Sequence, residues 1–133
     1  MRNEKLYGRV VRWEEIPEQE VRPGVRRRAY ATDDVMLTMN VVVAGMELKP
    51  HVHDDFDQLV YIADGTCRYH VDGVAHEMGP GSMMLVPAGS LHFIEPVTPS
   101  CSNLDVFVPP REDYRDALAW IAGLGSDRGG SEL

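Results

Sequence analysis

Two histidines separated by a single residue form the segment of the sequence best suited to chemistry. His51 and His53 lie between Pro50 and the polar run of residues 54–57. Residues two apart on an extended strand point to the same side, so both imidazoles would face one way. Two neutral imidazoles on one face suit a first-row transition metal, because each offers a nitrogen lone pair. Two solvated histidines near a turn are the alternative interpretation of the same pattern.

A third histidine, His92, follows the Pro-x-Gly turn of residues 87–89. With these segments the chain resembles the cupin superfamily, whose two motifs occur here in order and are separated by residues 66–80. The first motif, G-x5-H-x-H-x3–4-E-x6-G, matches at Gly45, His51, His53 and Gly65, and the second, G-x5-P-x-G-x2-H-x3-N, matches at Gly81, Pro87, Gly89 and His92. The resemblance predicts a metal site built from both motifs.

The fourth ligand position departs from the family pattern. The cupin glutamate position holds Asp57 or Gln58, depending on the gap taken, and the closing asparagine position holds Pro96. We expect Gln58 to be the ligand, because it begins a strand and its amide oxygen can bind a hard or borderline metal. Asp57, a shorter carboxylate in a turn, is the alternative. The resemblance therefore implies a divalent transition-metal cofactor (Zn, Ni, Fe or Mn) held by His51, His53, Gln58 and His92.

Residues 22–28, the metal segment and residues 104–114 resemble, more specifically, the small pectin-degradation cupins. Those proteins help to open 4,5-unsaturated uronate rings to linear keto sugars. Their cavity is lined by a D-x-F-x3-R pattern, which falls here on Asp105, Phe107 and Arg111. The resemblance implies that Asp105 acts as a general acid or base and that Arg111 offers a planar fork to a substrate carboxylate. Phe107 shares the strand face of Asp105. A structural ion pair between Asp105 and Arg111 is the alternative.

Short strands separated by Gly, Pro and Asp turns must position these residues. Strand-forming segments occupy residues 35–43, 58–62, 66–71, 74–78, 82–86, 91–94 and 104–108, and a short edge strand is expected near residues 10–13. The dipeptide Asp72-Gly73 predicts a tight hairpin. Residues 113–122 show the periodicity of a helix, with Asp113 as its N-cap. These patterns and the resemblance predict an all-β fold, a double-stranded β-helix (cupin jelly-roll barrel) with a short C-terminal helix.

The length of 133 residues is typical of one domain. We expect a single cupin domain over residues 1–133, with an N-terminal arm at about 1–24, the barrel at about 25–110, the helix at 111–122 and a flexible tail at 123–133. An N-terminal strand left at the edge of the barrel predicts a homodimer that forms through residues in the first 45. Alternation places Arg27 on one strand face and Arg26 and Arg28 on the other, so one side of this basic triplet can face the cavity.

Composition and charge narrow the range of partners. The chain carries 13 Lys and Arg against 21 Asp and Glu, a formal charge of −8, which disfavours nucleic acid because phosphates need a basic face. No apolar run reaches the roughly 18 residues that span a bilayer, and the first residues lack the apolar stretch of a secretory signal. We therefore expect a cytoplasmic protein with no membrane partner. The two cysteines, Cys67 and Cys101, are too few for a disulfide framework.

These features favour a metal-dependent enzyme that acts on a small, oxygen-rich and anionic metabolite as its substrate, for example by isomerisation or ring opening of an unsaturated sugar acid. An Fe(II) dioxygenase would use the same ligands but would need molecular oxygen. A polyketide cyclase would need a cavity lined mostly by apolar and aromatic groups. A non-catalytic module that binds a metal or a small molecule is the alternative outside enzymes.

Overall fold

The computed structural model describes residues 4–125, and this part of the chain forms nine β-strands. The strands are β1 (Gln19–Arg22), β2 (Val25–Ala31), β3 (Met36–Val43), β4 (Gln58–Asp64), β5 (Cys67–Val71), β6 (Val74–Met78), β7 (Met83–Val86), β8 (His92–Pro96) and β9 (Ser100–Phe107). All of them pair antiparallel, in a six-stranded sheet of order β1-β2-β3-β9-β4-β7 and a three-stranded sheet of order β6-β5-β8. The predicted jelly-roll fold is confirmed.

Alternation along β3 and β9 decides which side chains enter the barrel. In both strands every second residue is buried. Four of these inward positions are polar. They form two facing pairs in the register of the strands, Thr38 with Asp105 and Asn40 with Asn103. The period of two therefore places a group of polar side chains inside an otherwise apolar barrel.

The apolar core lies between the two sheets. Val60 and Ile62 of β4 pack with Cys67 and Tyr69 of β5, and all four side chains are buried. Burying a side chain the size of valine or isoleucine contributes about 1.5–3 kcal/mol relative to leaving it in water. Cys67 and Cys101 are both buried and are free thiols, so no disulfide joins the sheets among the described residues.

Two turns need backbone conformations that few residues adopt. Asp72 and Gly73 have φ angles of 48° and 84°, and β5 and β6 pair directly across them, as the sequence predicted. Gly65, between β4 and β5, has a φ of 75°, and a Cβ atom there would lie 2.3 Å from the carbonyl oxygen of Ser100. Only glycine fits this close approach of two backbone segments.

The N-terminal segment does not form the edge strand predicted near residues 10–13. Trp13–Glu15 is instead a 3-10 helix, and the first strand, β1, lies inside the region predicted as an arm. Ile16 is buried, and its carbonyl oxygen accepts a hydrogen bond from Nε of Arg28 at 3.0 Å. Packing of single apolar side chains onto the barrel therefore replaces the strand pairing that local β-propensity favoured.

The C-terminal helix is confirmed in place but differs in type. Glu112–Leu118 is a 3-10 helix with a kink at Tyr114, and only Ala119–Ala122 (α1) is α-helical. Asp113 is not the N-cap that the sequence predicted, because its carboxylate pairs with the guanidinium of Arg111. The carboxylate that was expected to cap the helix thus forms an ion pair with Arg111 instead.

Hydrogen bonding anchors the C-terminal segment to β2. Nε1 of Trp120 donates to the carbonyl oxygen of Ala29 at 2.8 Å, and Ile121 is buried. This anchor holds the preceding residues 111–114 against the barrel. The flexible tail predicted at residues 123–133 lies mostly outside the described residues. Within residues 4–125, no helix is long and apolar enough to cross a membrane.

Candidate metal centre and its cavity

Three histidines from two distant segments converge at one point. His51 and His92 form an isolated antiparallel bridge, in which the backbone N–H of each donates to the carbonyl oxygen of the other, at 3.0 and 2.9 Å. Their ring centroids are 4.2 Å apart, and the centroid of His53 lies 4.9 Å from both. One ring nitrogen from each histidine lies within 4.8 Å of the other two, an arrangement that can hold a metal ion.

Backbone carbonyl groups orient two of the three imidazoles. Nδ1 of His51 lies 2.9 Å from the carbonyl oxygen of Lys49, and Nδ1 of His92 lies 3.0 Å from that of Ser90. A carbonyl oxygen only accepts, so each Nδ1 carries the proton and the lone pair of each Nε2 is available. Histidines that bind metals are commonly oriented in this way.

Gln58 begins β4 and lines the same cavity as His51 and His53. Its amide nitrogen donates to the hydroxyl of Tyr69 at 3.5 Å, and its Oε1 has no hydrogen-bond partner. Among the residues that the structure describes, Nε2 of His92 is the other buried side-chain atom without a partner. Buried polar atoms are nearly always hydrogen-bonded, so these two unpartnered lone pairs are candidate ligands for a cation.

Asp57, the alternative fourth ligand, makes a different contact. Its side chain is exposed, and its Oδ1 accepts a hydrogen bond from the backbone N–H of Ala88 at 2.8 Å, which joins two turns. Three imidazole nitrogens that can hold a metal ion and one unpartnered amide oxygen are thus the candidate donors. This donor set fits a divalent transition metal such as Zn, Ni, Fe or Mn.

Two of the histidines are neutral at neutral pH. Burial lowers the pKa of His53 from 6.5 to about 4, and the charge of Arg111 and the neighbouring His51 add to this effect. Burial also lowers the pKa of His92. Since a metal binds the neutral imidazole, both groups are in the form that a metal requires.

Asp105 is buried in the wall of the cavity. Its Oδ2 accepts a hydrogen bond from the amide of Asn40 and its Oδ1 accepts one from the amide of Asn103, each at 3.0 Å. Burial raises the pKa of Asp105 from 3.8 to about 6, while a hydrogen bond from Gln58 and the charge of Arg27 oppose the rise. A carboxyl group with this pKa can take up and release a proton near neutral pH.

Arg111 does not form the ion pair with Asp105 that the sequence left open. Its Nε donates to Oδ1 of Asp113 at 2.9 Å, and its Nη2 donates to the second oxygen of the same carboxylate. Nη1 lies 3.3 Å from each ring nitrogen of His53 and 3.4 Å from the hydroxyl of Tyr114. Arg111 therefore does form an ion pair, but its partner is Asp113 and not Asp105.

Phe107 supports the same wall from the core. It is 1% exposed, and its ring meets those of Phe56, Tyr114 and His53 edge to face, at centroid distances of 5.5, 5.8 and 6.2 Å. Cζ of Arg111 lies 5.3 Å from the centre of the Phe107 ring. Phe107 therefore packs against a candidate ligand and a candidate substrate-binding residue, which fixes their positions.

A cavity of about 480 Å³ is lined by the predicted site residues His51, His53, Gln58, Asp105, Phe107 and Arg111. Other residues that line this cavity were not assigned to the site from the sequence. Asn40 and Asn103 were detectable, because they are polar residues at inward positions of apolar strands. Tyr114 carried no such signal, since the kinked 3-10 helix that places it has no strong sequence pattern. The structure also shows which side of the basic triplet of residues 26–28 faces the cavity: Arg27 lines it, and Arg26 and Arg28 do not.

The antiparallel jelly roll, with three histidines that converge at one point, defines this protein as a cupin. Residues 44–129 match the family model of the AraC-like ligand binding domain. The match spans more than half of the chain, and the chain belongs to this family.

Similar proteins share the fold over most of the chain. The pectin degradation protein KdgF of Dickeya dadantii (strain 3937) is 26% identical over 102 residues, which cover 76% of this chain and 93% of that protein. The structure of KdgF from Halomonas sp. superposes with a TM-score of 0.70 at 27% identity, over 75% of this chain and 92% of that chain. An RmlC-like cupin from Shewanella frigidimarina NCIMB 400 gives a TM-score of 0.71 at 24% identity, over 78% and 93% of the two chains, and supports the fold alone.

Proposed function

We propose that this protein is a metal-dependent cupin enzyme that opens the ring of a 4,5-unsaturated uronate to give a linear keto sugar acid. Its similarity to two KdgF proteins, one of them named for pectin degradation, supports this substrate class. The observation that carries the proposal is the convergence of His92 with His51 and His53, two histidines that line one cavity with Gln58 and Asp105, while Oε1 of Gln58 and Nε2 of His92 are buried without a hydrogen-bond partner.

Ring opening of such a uronate is an isomerisation that needs acid–base chemistry and no oxidant. The hydroxyl at C1 loses its proton as the bond between C1 and the ring oxygen breaks, which leaves an aldehyde at C1 and an enolate at C5. A proton added at C4 then converts the enolate to a ketone. One proton leaves and one is taken up, so a single carboxyl group can serve both transfers.

The side chains of the cavity have distinct parts in this proposal. His51, His53, Gln58 and His92 would hold a divalent ion, which would supply Lewis-acid polarisation of a sugar oxygen. Asp105 moves the proton, since its carboxyl group lines the cavity and has a pKa of about 6. Asn40 and Asn103 hold the two oxygens of that carboxyl group. Arg111 orients the substrate, and Phe107 keeps Arg111 in place.

Turnover of a defined uronate tests the proposal. The protein is loaded separately with Zn, Ni, Fe or Mn and mixed with 4,5-unsaturated galacturonate, and the loss of ultraviolet absorbance of the double bond is followed. We expect a metal-dependent rate above that of spontaneous ring opening, and the same rate in a strictly anaerobic chamber. Chelator-treated protein is the control. A rate equal to the spontaneous one with every metal would contradict the proposal, and a requirement for oxygen would indicate a dioxygenase.

A non-catalytic sensing or binding module is the second candidate, because the family is described as a ligand binding domain. Such a module would bind a sugar acid without converting it. Full-affinity binding by chelator-treated protein, without turnover by the metal-loaded protein, would favour this candidate. A polyketide cyclase is less favoured, since charged and polar side chains such as those of Arg27, Asn103 and Asp105 line the cavity.

We also propose that two copies form a homodimer. Leu37 and Met39, within the first 45 residues, lie on the outward side of the six-stranded sheet, and neighbouring strands add Leu59, Met83 and Leu85, which are 38%, 64% and 61% exposed. A contiguous exposed apolar area of this kind marks an interaction surface. A cytoplasmic location is part of the same proposal and is supported by the two free thiols.

A further inference from the structure

Arg27 is a cationic side chain that faces the cavity from β2. It lies opposite Asn40 in the register of β2 and β3, and its Nε donates to Oδ1 of Asn40 at 2.9 Å. Its Cζ lies 4.0 Å from the centre of the Tyr114 ring, a cation–π contact. The side chain is partly buried and lines the same cavity as the candidate metal ligands. Arg27 is therefore held on two sides, while its terminal amino groups are not used by these contacts.

The charge partners of the neighbouring arginines set Arg27 apart. Arg26 and Arg28 both pair with Glu18, at 3.0 and 3.3 Å. Two other guanidinium groups line the cavity: Arg111 donates two hydrogen bonds to Asp113, and Nη1 of Arg22 donates to the carbonyl oxygen of Glu47. Among residues 4–125, no carboxylate oxygen lies within 4.0 Å of the Arg27 guanidinium nitrogens. Arg22 and Arg27 thus line the cavity without an ion-pair partner among the described residues, and of the two only Arg27 is hydrogen-bonded to Asn40, the amide that also holds Asp105.

A free guanidinium edge in a cavity is suited to a carboxylate. Two parallel N–H groups can donate to the two carboxylate oxygens, and such charge-assisted bonds are stronger than neutral ones. Lys49 also lines the cavity, but it is exposed and offers a hydrated point charge without a planar fork. The contacts of Arg27 with Asn40 and Tyr114 limit its rotamers, so less freedom is lost when an anion binds.

We propose that Arg27 binds the carboxylate of the sugar-acid substrate and thereby sets the preference of the cavity for anionic sugars. The inference rests on the proposed function and makes it more specific. It moves carboxylate recognition from Arg111, which is occupied by Asp113, to the residue whose donors are available. Arg111 then acts as a positioning residue at the wall shared with His53.

A pair of substrates that differ only in charge tests this role. Kinetics with 4,5-unsaturated galacturonate and with its methyl ester are measured for the wild type, Arg27→Met, Arg27→Lys and the control Arg26→Met. For Arg27→Met we expect KM for the acid to rise roughly ten- to a hundred-fold, as for a lost bond to a charged group, with KM for the ester unchanged. The KM of Arg27→Lys for the acid should lie between those of the wild type and Arg27→Met, and the KM of Arg26→Met should match that of the wild type. Circular dichroism confirms that each variant is folded.

Other outcomes would overturn the proposal. One is an unchanged ratio of acid to ester KM in Arg27→Met, and another is an equal loss in Arg26→Met. If Arg27 acted only through Asn40, the substitution would lower kcat for acid and ester alike and leave their KM values unchanged, which would also exclude carboxylate binding.

A binding measurement separates this inference from the proposed function. Calorimetry with metal-loaded protein compares D-galacturonate with the uncharged methyl galactoside. Galacturonate binding that is lost in Arg27→Met, in a protein that does not turn over the unsaturated uronate, would leave the inference standing while the proposed function fails. Turnover by the wild type with no Arg27 dependence would remove the inference alone. Failure of the wild type to bind galacturonate in preference to the galactoside would overturn it as well.

Discussion

At the scale of single residues, Asp105 carries the proposed proton transfer. Asn40 and Asn103 hold its two oxygens, and burial raises its pKa to about 6. An Asp105→Asn variant keeps the shape of the side chain but cannot exchange a proton. We therefore expect unchanged metal content and a kcat lower by at least about 100-fold. Steady-state kinetics and elemental analysis of the same preparation check both expectations.

The control for this prediction is an exposed aspartate that does not line the cavity. Asp34 lies in the turn between β2 and β3, and Asp34→Asn should change neither kcat nor metal content. Full turnover by Asp105→Asn would exclude the proton-transfer role. Loss of metal together with activity would show instead that Asp105 supports the ligands.

The sequence could predict which residues converge but not how the cavity wall is paired. Strand alternation alone predicted that His51 and His53 share a face, whereas the convergence of the distant His92 with them was predicted from the resemblance to the two cupin motifs. The roles of Arg27 and Arg111 depend on which carboxylate lies near each in space. Only the folded chain shows that a carboxylate occupies Arg111 and that none occupies Arg27 among the described residues.

At the scale of elements, β9 joins the candidate chemistry to the core, since its inward positions carry both Asp105 and Phe107. Replacing Phe107 by alanine removes a fully buried ring that touches Phe56, Tyr114 and His53. We expect a loss of about 3–5 kcal/mol in the free energy of unfolding. Urea-induced unfolding, followed by circular dichroism, measures this change.

The neighbouring residue Val108 provides the matched control, because its side chain is 63% exposed. Val108→Ala should change the free energy of unfolding by less than about 0.5 kcal/mol. Equal losses for both variants would show that Phe107 is not a specific packing contact of the barrel.

Strands were predictable from the sequence where turns mark both of their ends. The segment that became β5 and β6 is bounded by Gly65, Asp72-Gly73 and Gly79, and its pairing follows from the hairpin turn. The N-terminal and C-terminal segments were harder to predict, because tertiary contacts decide their form. The carbonyl oxygen of Ile16 accepts a hydrogen bond from Arg28 of β2, and the indole N–H of Trp120 donates to the carbonyl oxygen of Ala29 in the same strand. No local sequence pattern specifies these long-range bonds.

For the whole molecule, the outer face of four strands in the six-stranded sheet carries apolar side chains, of which Leu59, Met83 and Leu85 are exposed. Paired strands align its side chains in two rows that cross β3, β9, β4 and β7. The rows are Leu37, Val106, Leu59 and Leu85, and next to them Met39, Leu104, Tyr61 and Met83. A second copy presents the same face, so the two faces match in chemistry and can pack as an isologous dimer.

Light scattering tests the dimer at micromolar concentration. We expect twice the chain mass of 14.9 kDa for the wild type and the single chain mass for Leu85→Lys, because a buried lysine without a partner opposes association. Val74→Lys, which changes an exposed residue of the other sheet, should leave the dimer intact. A monomeric wild type would refute the homodimer, and a dimeric Leu85→Lys variant would place the interface elsewhere.

In the proposed function, three imidazoles and one amide oxygen bind a single divalent ion. This binding is tested by the metal content of protein that has been stripped with a chelator, reloaded and desalted. We predict about one ion per chain for the wild type and for the control Asp57→Asn, clearly less for Gln58→Ala, and almost none, with no turnover, for His51→Ala. A wild type that retains no metal, or a His51→Ala variant that retains a full equivalent, would contradict the claim.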